Sequence, residues 1–242
     1  MIPVLIVPTI LKRKDLLERM LNSIDHPVER LVFVVNDGSD WRWEGDGPFE
    51  RVDYIRPILG LGNHGGINAG IAQTPEAPWW LFVTDDIAFG PGNLDDIVDT
   101  IESSDAPAVV TGSYESPKLL SFCYGAVNRA CIDKVGLVDE WTFYPIYFGD
   151  NDYHRRCKLA GVEWIVYDGD IRHGDDGTTS ATLKAVPHFQ DRNQETFARN
   201  HRAYEQKWGG PIGGEAYETP WNLPVPIDYL RVDIRGRAER IW

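Results

Sequence analysis

Cysteine is scarce in this chain, with three in 242 residues, and methionine is scarcer, with two. Cys123, Cys131 and Cys157 are odd in number and show no paired spacing, so the sequence suggests neither a disulfide framework nor a thiolate zinc site. They read as small core residues. Basic residues are outnumbered, 24 Lys and Arg against 37 Asp and Glu, for a net charge of -13. That surface lacks the basic footprint that draws proteins to phosphate backbones, which argues against duplex DNA as a general ligand and disfavours a long polyanionic acceptor. No apolar run approaches the roughly 20 residues of a membrane-spanning helix. The opening MIPVLIVPTI passes into a strand-like segment with neither a basic leader nor a small-residue cleavage site, so a cytoplasmic protein without a membrane span is expected.

What is present is close to the soluble average, 43% hydrophobic and 25% charged, and the length fits one α/β domain with a trailing appendage. Val4 to Val7 reads as a buried parallel strand, Asp15 to Ile24 as an amphipathic helix, and Leu31 to Val35 as the next strand, together one βαβ unit. Val52 to Ile55 predicts a third strand. The glycine-rich GLGNHGGINAG then leads into a short helix around Ile67 to Ala72, and Trp79 to Val83 is the strongest buried strand. Asn93 is placed as the cap of a helix through Ile101, and Ala108 to Thr111 as a further strand. Helices over Asn128 to Val135, Asp150 to Ala160 and Asp191 to Trp208 follow, the last burying Phe197, Tyr204 and Trp208, with a strand at Val162 to Tyr167. Alternating strands and helices predict a mostly parallel sheet flanked by helices. Residues 209–242, dense in Pro and Gly, read as a C-terminal tail that packs on the domain or on a partner subunit of a homo-oligomer.

In open α/β sheets, ligands bind beyond the carboxyl ends of the strands, where strand order reverses. Asp85 and Asp86 stand there, directly after Trp79 to Val83. Carboxylates bind a diphosphate only through a hard divalent cation, so the pair suggests a magnesium or manganese site; alternatively, it starts a turn. Downstream, Trp141, Phe143, Tyr144, Tyr147 and Phe148 form a dense aromatic run suited to stacking on sugar rings, or in part to filling the core.

The ordered series of motifs resembles the inverting family 2 glycosyltransferases, including their rhamnosyltransferase-like branch. It consists of Pro8 and Thr9 ending the first strand, VNDGSD with Asn36 and Asp37 ending the second, the glycine-rich turn with Gly65, Gly66, Asn68 and Gly70, and the triplet Thr84, Asp85 and Asp86. The resemblance spans roughly residues 3–180. It implies a GT-A nucleotide-diphospho-sugar transferase fold over 1–208, with a nucleotide-binding half at 1–112 and an acceptor and catalytic half at 113–208. It further implies that Thr9 and Asp37 hold the nucleoside and that Asp86 ligates a manganese or magnesium ion on the diphosphate. Asp85 would touch the ribose or the metal shell, and His173 would be a second ligand. Thr84 departs from the family's first acidic position.

In GLVDEWTFYPIYFGDNDYHRR the same resemblance implies that Asp150 is the general base, with Asp152 as the fallback. Arg155 or Arg156 would assist the leaving group, and Asp139 and Glu140 would line or brace the acceptor pocket with Trp141, Tyr147 and Phe148. Gly149 stands where the family has Glu. The implied partners are a nucleotide-diphosphate sugar donor and an acceptor hydroxyl of unspecified class. A non-catalytic protein that binds carbohydrate or a nucleotide sugar is the alternative reading. A sugar-nucleotide pyrophosphorylase fits less well, because VPTILKRK lacks glycines after the first strand, and a metal-dependent phosphate hydrolase does not explain the ordered nucleotide-site motifs.

Overall fold

Along β1 (Ile2–Thr9), Val4 and Ile6 face one hydrophobic cluster while Leu5 and Val7 face a second. The strand is covered on both sides, which is why its sequence is an unbroken apolar run. A computed structural model describes residues 1–113, 120–174, 187–222, 230–232 and 238–240. The other elements are α1 (Lys14–Asn22), β2 (Val28–Val35), β3 (Phe49–Ile55), α2 (Gly62–Gln73), β4 (Trp79–Val83), β5 (Ile87–Phe89), α3 (Asn93–Glu102) and β6 (Ala108–Ser113). Then come β7 (Leu120–Asn128), α4 (Arg129–Val135), α5 (Gly149–Leu159), β8 (Glu163–Tyr167), β9 (Ile171–His173), α6 (Pro187–Trp208), β10 (Leu230–Val232) and β11 (Ala238–Arg240).

Seven strands form one sheet in the order β3-β2-β1-β4-β7-β6-β8, and only β7 runs against the rest. Helices α2, α4 and α5 cover one face through Ile67, Ile71, Ile132, Val135 and Tyr153; α1 and α3 cover the other through Leu17, Met20, Leu21, Leu94 and Ile97. Each such side chain contributes about 1.5–3 kcal/mol by leaving water. The chain builds outward from β1 to β3 and then returns to add β4 on the other side of β1. The carboxyl ends of β1 and β4, with Thr9 closing the first and Asp85 just past the second, therefore flank the topological switch point, where a ligand crevice is expected.

The α/β class and the mostly parallel sheet agree with the sequence reading, but several elements differ. Strand β7 was not expected, and it lies between β4 and β6 so that the sheet runs continuously across the 112/113 boundary. Helix α2 begins at Gly62 rather than near Ile67. Asn93 is not the cap of α3: Gly92, at φ 79°, holds that position, and the Asn93 amide bonds back to the Gly90 carbonyl. Asn128 caps α4 by accepting from the Cys131 amide. Phe197 is half exposed, whereas Tyr204 and Trp208 are buried.

Segment 209–222 packs on its own chain, with Tyr217 N bonding the Trp208 carbonyl and Glu215 accepting from Tyr204. Further on, β10 and β11 pair antiparallel, and β10 approaches α2. Residues 175–180 of the resemblance and 223–229, 233–237 and 241–242 of the tail lie outside the described residues.

Candidate active site

Beyond β4, the turn Thr84-Asp85-Asp86 hands the chain to β5, which pairs antiparallel with β9 so that Ile87 stands opposite His173. That short ribbon brings His173 Nε2 to 3.1 Å from Asp86 Oδ1, across 87 positions of sequence that carry no local signal for the contact. Thr84 Oγ1 donates to the same Asp86 oxygen at 2.8 Å, and His173 Nδ1 lies 3.4 Å from Cys123 Sγ. Burial alone would push Asp86 up, but the His173 hydrogen bond and charge outweigh it and hold the carboxyl below its ordinary value. Burial likewise works against a charged His173, yet Asp86 and Cys123 raise it to about 10. Asp86 and His173 form an ion pair. From α1, Arg19 donates to the carbonyls of Gly174 at 2.7 Å and Asp86 at 3.3 Å, tying the ribbon to the domain.

Asp85 turns the other way. Its Oδ2 accepts from Thr9 Oγ1 at 2.6 Å, joining the ends of β4 and β1, and burial raises its carboxyl to about 7 despite that bond. Asn36, at the end of β2, bridges to the start of α2: its Oδ1 accepts from Leu61 N at 2.9 Å and its Nδ2 donates to the Gly62 carbonyl at 3.1 Å. Asp37 is exposed and accepts from Ser39 N at 3.0 Å. Gly66 is required by close approach, since a Cβ there would lie 2.8 Å from the Pro8 ring. Pro8, Thr9, Asn36, Asp37, Gly65, Gly66, Asn68, Thr84 and Asp85 thus gather around the ends of β1, β2 and β4 and the first turns of α2.

The first turns of α2 also meet the second half of the chain. Asn68 Nδ2 donates to Glu140 Oε2 at 2.9 Å and to the Val138 carbonyl at 2.8 Å, and Asn63 N donates to the Pro145 carbonyl. The ring of His64, buried and lowered to about 4 chiefly by burial, fills the space beside Gly149. A Cβ at Gly149 would come within 2.5 Å of it, a physical reason why no Glu stands there.

Asp150 sits in the first turn of α5, half-buried. Loss of bulk water raises its carboxyl to about 6 against backbone hydrogen bonds from Asn151 and from Phe122 of β7. Thr84 N meanwhile donates to the carbonyl of the adjacent Cys123 at 2.7 Å, and Cys123 Sγ touches His173. The Asp86–His173 pair and Asp150 thus contact consecutive residues of β7, Cys123 and Phe122.

Other expected site residues lie elsewhere. Asp152 is fully buried, its Oδ1 accepting from Lys207 at 2.7 Å and Trp208 at 3.0 Å and its Oδ2 from Arg156 at 2.9 Å, so it braces the fold instead of standing as a second base. Arg156 also donates to the carbonyls of Val135 and Leu137, and Arg155 donates to the Tyr217 carbonyl and lies over the Trp208 ring. Both arginines are engaged by partners in α4, α5, α6 and the segment after α6. Asp139 braces through Lys207 at 2.8 Å. Phe148 packs into α6 among Phe197, His201 and Tyr204, and Tyr147 stacks edge-on with Phe197, whereas Trp141 and Tyr144 are exposed. The sequence reading missed Arg19, His64, Asn200 and Lys207; only the Asp152–Arg156 spacing of four, which predicts an intrahelical pair, pointed to this brace.

Asp86 and His173 offer one carboxylate and one imidazole, donors that suit manganese or magnesium when substrate phosphates and water complete the shell. Among the described residues no cluster of three or more His, Cys, Asp or Glu side chains is arranged to hold a metal ion. A cavity of about 330 Å³ lined by Pro78, Trp79, Glu102, Asn128 and Arg129 lies at the opposite end of β4, away from these carboxylates. Among the described residues, no helix is long and apolar enough to cross a membrane.

No protein-family model and no curated protein matches the chain. Among solved structures it is similar in fold to the mannosyltransferase PcManGT from Pyrobaculum calidifontis in complex with GDP-Man and Mn2+, with a TM-score of 0.53 at 14% identity over 83% of this chain and 73% of that one. It is similar also to S. aureus TarS residues 1-349, with a TM-score of 0.52 at 12% identity over 85% of this chain and 72% of that one. The same TarS fragment with UDP-GlcNAc matches at a TM-score of 0.50 and 13% identity, over 85% of this chain and 71% of that one.

Proposed function

We propose that the chain is an inverting glycosyltransferase that moves a sugar from a nucleoside-diphosphate donor to an acceptor hydroxyl, with Asp150 as general base and with Asp86 and His173 holding a manganese or magnesium ion. The observation that carries this reading is that the Asp86–His173 pair contacts Cys123 while Asp150 contacts Phe122, the residue before it in β7. Two carboxylate centres of opposite task, one for a cation and one for a proton, then share one crevice at the switch point of the sheet. The fold shared with a mannosyltransferase crystallised with GDP-Man and Mn2+ and with a TarS fragment bound to UDP-GlcNAc supports the donor class. The ordered motifs support assignment to family 2 and its rhamnosyltransferase-like branch.

When bound, the cation supplies positive charge to the leaving diphosphate without a proton. Thr9, Asp85 and Asn36 frame the nucleoside, and Thr84 and Arg19 hold Asp86 in place. Asp150 takes the proton of the acceptor hydroxyl as its oxygen attacks the anomeric carbon opposite the breaking bond to the diphosphate, which inverts the configuration. A carboxyl near 6 is ionised at neutral pH yet basic enough for this task. Trp141 and Tyr144, exposed beside this loop, offer aromatic faces to an acceptor sugar.

The test is a panel of nucleoside-diphosphate sugars incubated with the chain, with and without manganese, with release of the free nucleoside diphosphate followed by chromatography. Manganese-dependent release that Asp150→Asn abolishes is expected. Binding of a donor without turnover would favour the non-catalytic alternative.

A further inference from the structure

Between the aromatic run and the base, the backbone adopts a conformation that side-chain-bearing residues rarely hold. Tyr147 and Phe148 have φ of 74° and 66°, both in the left-handed region. Such a turn persists only where its surroundings over-determine it. Phe148 is the residue from which α5 starts, and Asp150 follows two positions later. The direction of the Asp150 carboxylate is therefore set by this turn.

What holds the turn comes from α6. Asn200 is fully buried, and its side-chain nitrogen donates to the carbonyl of Ile146 at 2.7 Å, with longer contacts to Tyr147 at 3.3 Å and Tyr144 at 3.4 Å. One amide nitrogen, with its two hydrogens, thus reaches three carbonyls of the loop. Arg199 donates to Asn200 Oδ1 at 3.1 Å, which fixes which end of the amide faces the loop, and it also reaches the Tyr144 carbonyl. The Phe148 ring is seated against His201 and Tyr204 of the same helix, at centroid distances of 5.2 Å and 6.0 Å. Further along α6, Lys207 and Trp208 grip Asp152, in the first turn of α5.

We propose that Asn200 is a positioning residue of the transfer reaction: by pinning the carbonyls of Tyr144, Ile146 and Tyr147 it holds the left-handed turn that aims Asp150. The proposal rests on the reading of Asp150 as the base. The hydrogen bonds of Asn200 run to the 144–147 loop and to Arg199 of its own helix, so its loss is expected to leave the donor half of the site unaffected.

The test compares wild type, Asn200→Leu, Arg199→Gln and Asp150→Asn by amide hydrogen exchange and by steady-state transfer from whichever nucleotide sugar the wild type consumes. In Asn200→Leu the amides of 146–151 exchange about tenfold faster while those of β1 and β4 do not change. Its kcat falls roughly tenfold to a hundredfold with donor KM held, because a base displaced by about 1 Å loses rate without loosening the nucleotide. Arg199→Gln, a change at an exposed residue, moves both readouts the same way by less, and carries the test alone if Asn200→Leu does not fold. Unchanged exchange, or faster exchange with wild-type kcat, overturns the proposal while an inactive Asp150→Asn keeps the base. A wild type inert towards every donor overturns the base assignment and this proposal together, and the exchange pattern then records a structural clamp alone.

Discussion

Replacing Asp150 by Asn is expected to remove activity and raise stability in the same protein. The carboxyl has a folded-state value of about 6 against 3.8 for the free group, because burial disfavours its charge. The folded chain thus holds this proton more tightly than the unfolded chain does. The contribution is most favourable below about pH 4, is lost as pH rises through 6, and leaves the ionised carboxylate costing about 3 kcal/mol at pH 7.5. Asn keeps the shape and removes that cost. For a chain of this length the gain corresponds to a Tm higher by roughly 6–12 °C at pH 7.5, shrinking to about a third at pH 4.5, where the linkage leaves about 1 kcal/mol. Loss of general-base assistance lowers kcat about a hundredfold to ten-thousandfold over the same substitution. Differential scanning fluorimetry at the two pH values, alongside the transfer assay, reads both effects. An Asp150→Asn protein that transfers sugar at the wild-type rate, or is less stable at pH 7.5 than at pH 4.5 relative to wild type, would refute the reasoning.

Other predictions follow from the same geometry. Asp86→Asn and the milder Thr84→Val weaken manganese binding in the presence of nucleoside diphosphate, the latter about tenfold to a hundredfold as a partner of a ligand, measured by titration calorimetry. Lys207→Met strands two buried carboxylates and costs about 3–5 kcal/mol in denaturant unfolding. Burial works against ionised Asp139, but the Lys207 charge outweighs it and holds the carboxyl at about 2, so its stabilisation is full above pH 3.8 and fades as pH falls through about 2; Lys207→Met removes that acid-side loss. Gly70→Ala sets a Cβ into the Ile6 side chain and costs about 1–3 kcal/mol with no change in metal affinity. Gly149→Ala collides with the His64 ring, and His64→Ala in the same chain restores at least part of the lost stability.

The first βαβ unit and β4 were legible because both faces of each strand are buried, leaving unbroken apolar runs that only a covered parallel strand produces. Strand β7 was not, because Gly125 interrupts its apolar run; the glycine is there because a Cβ would collide with Phe82 across the ladder. The Asp85–Asp86 turn was visible from its place after β4, but its contact with His173 depends on two three-residue strands too short to show a period. Asp152 was kept as the fallback to Asp150, although residues two apart on a helix point to nearly opposite sides. Asp150 consequently faces β7 while Asp152 turns to Lys207 and Trp208. The lysine itself stands near the end of a long helix, and only packing shows it between two carboxylates.

Manganese is paramagnetic, so its effect on amide resonances tests most directly whether both centres share one crevice. With GDP or UDP present, substoichiometric Mn2+ is expected to broaden Gly174, Phe122, Cys123 and the start of α5 around Asp150 first, leaving Trp79, Asn128 and Arg129 at the far end of β4 sharp. Broadening that spares α5 while affecting Asp86, or that centres on the far end of the sheet, would contradict the account.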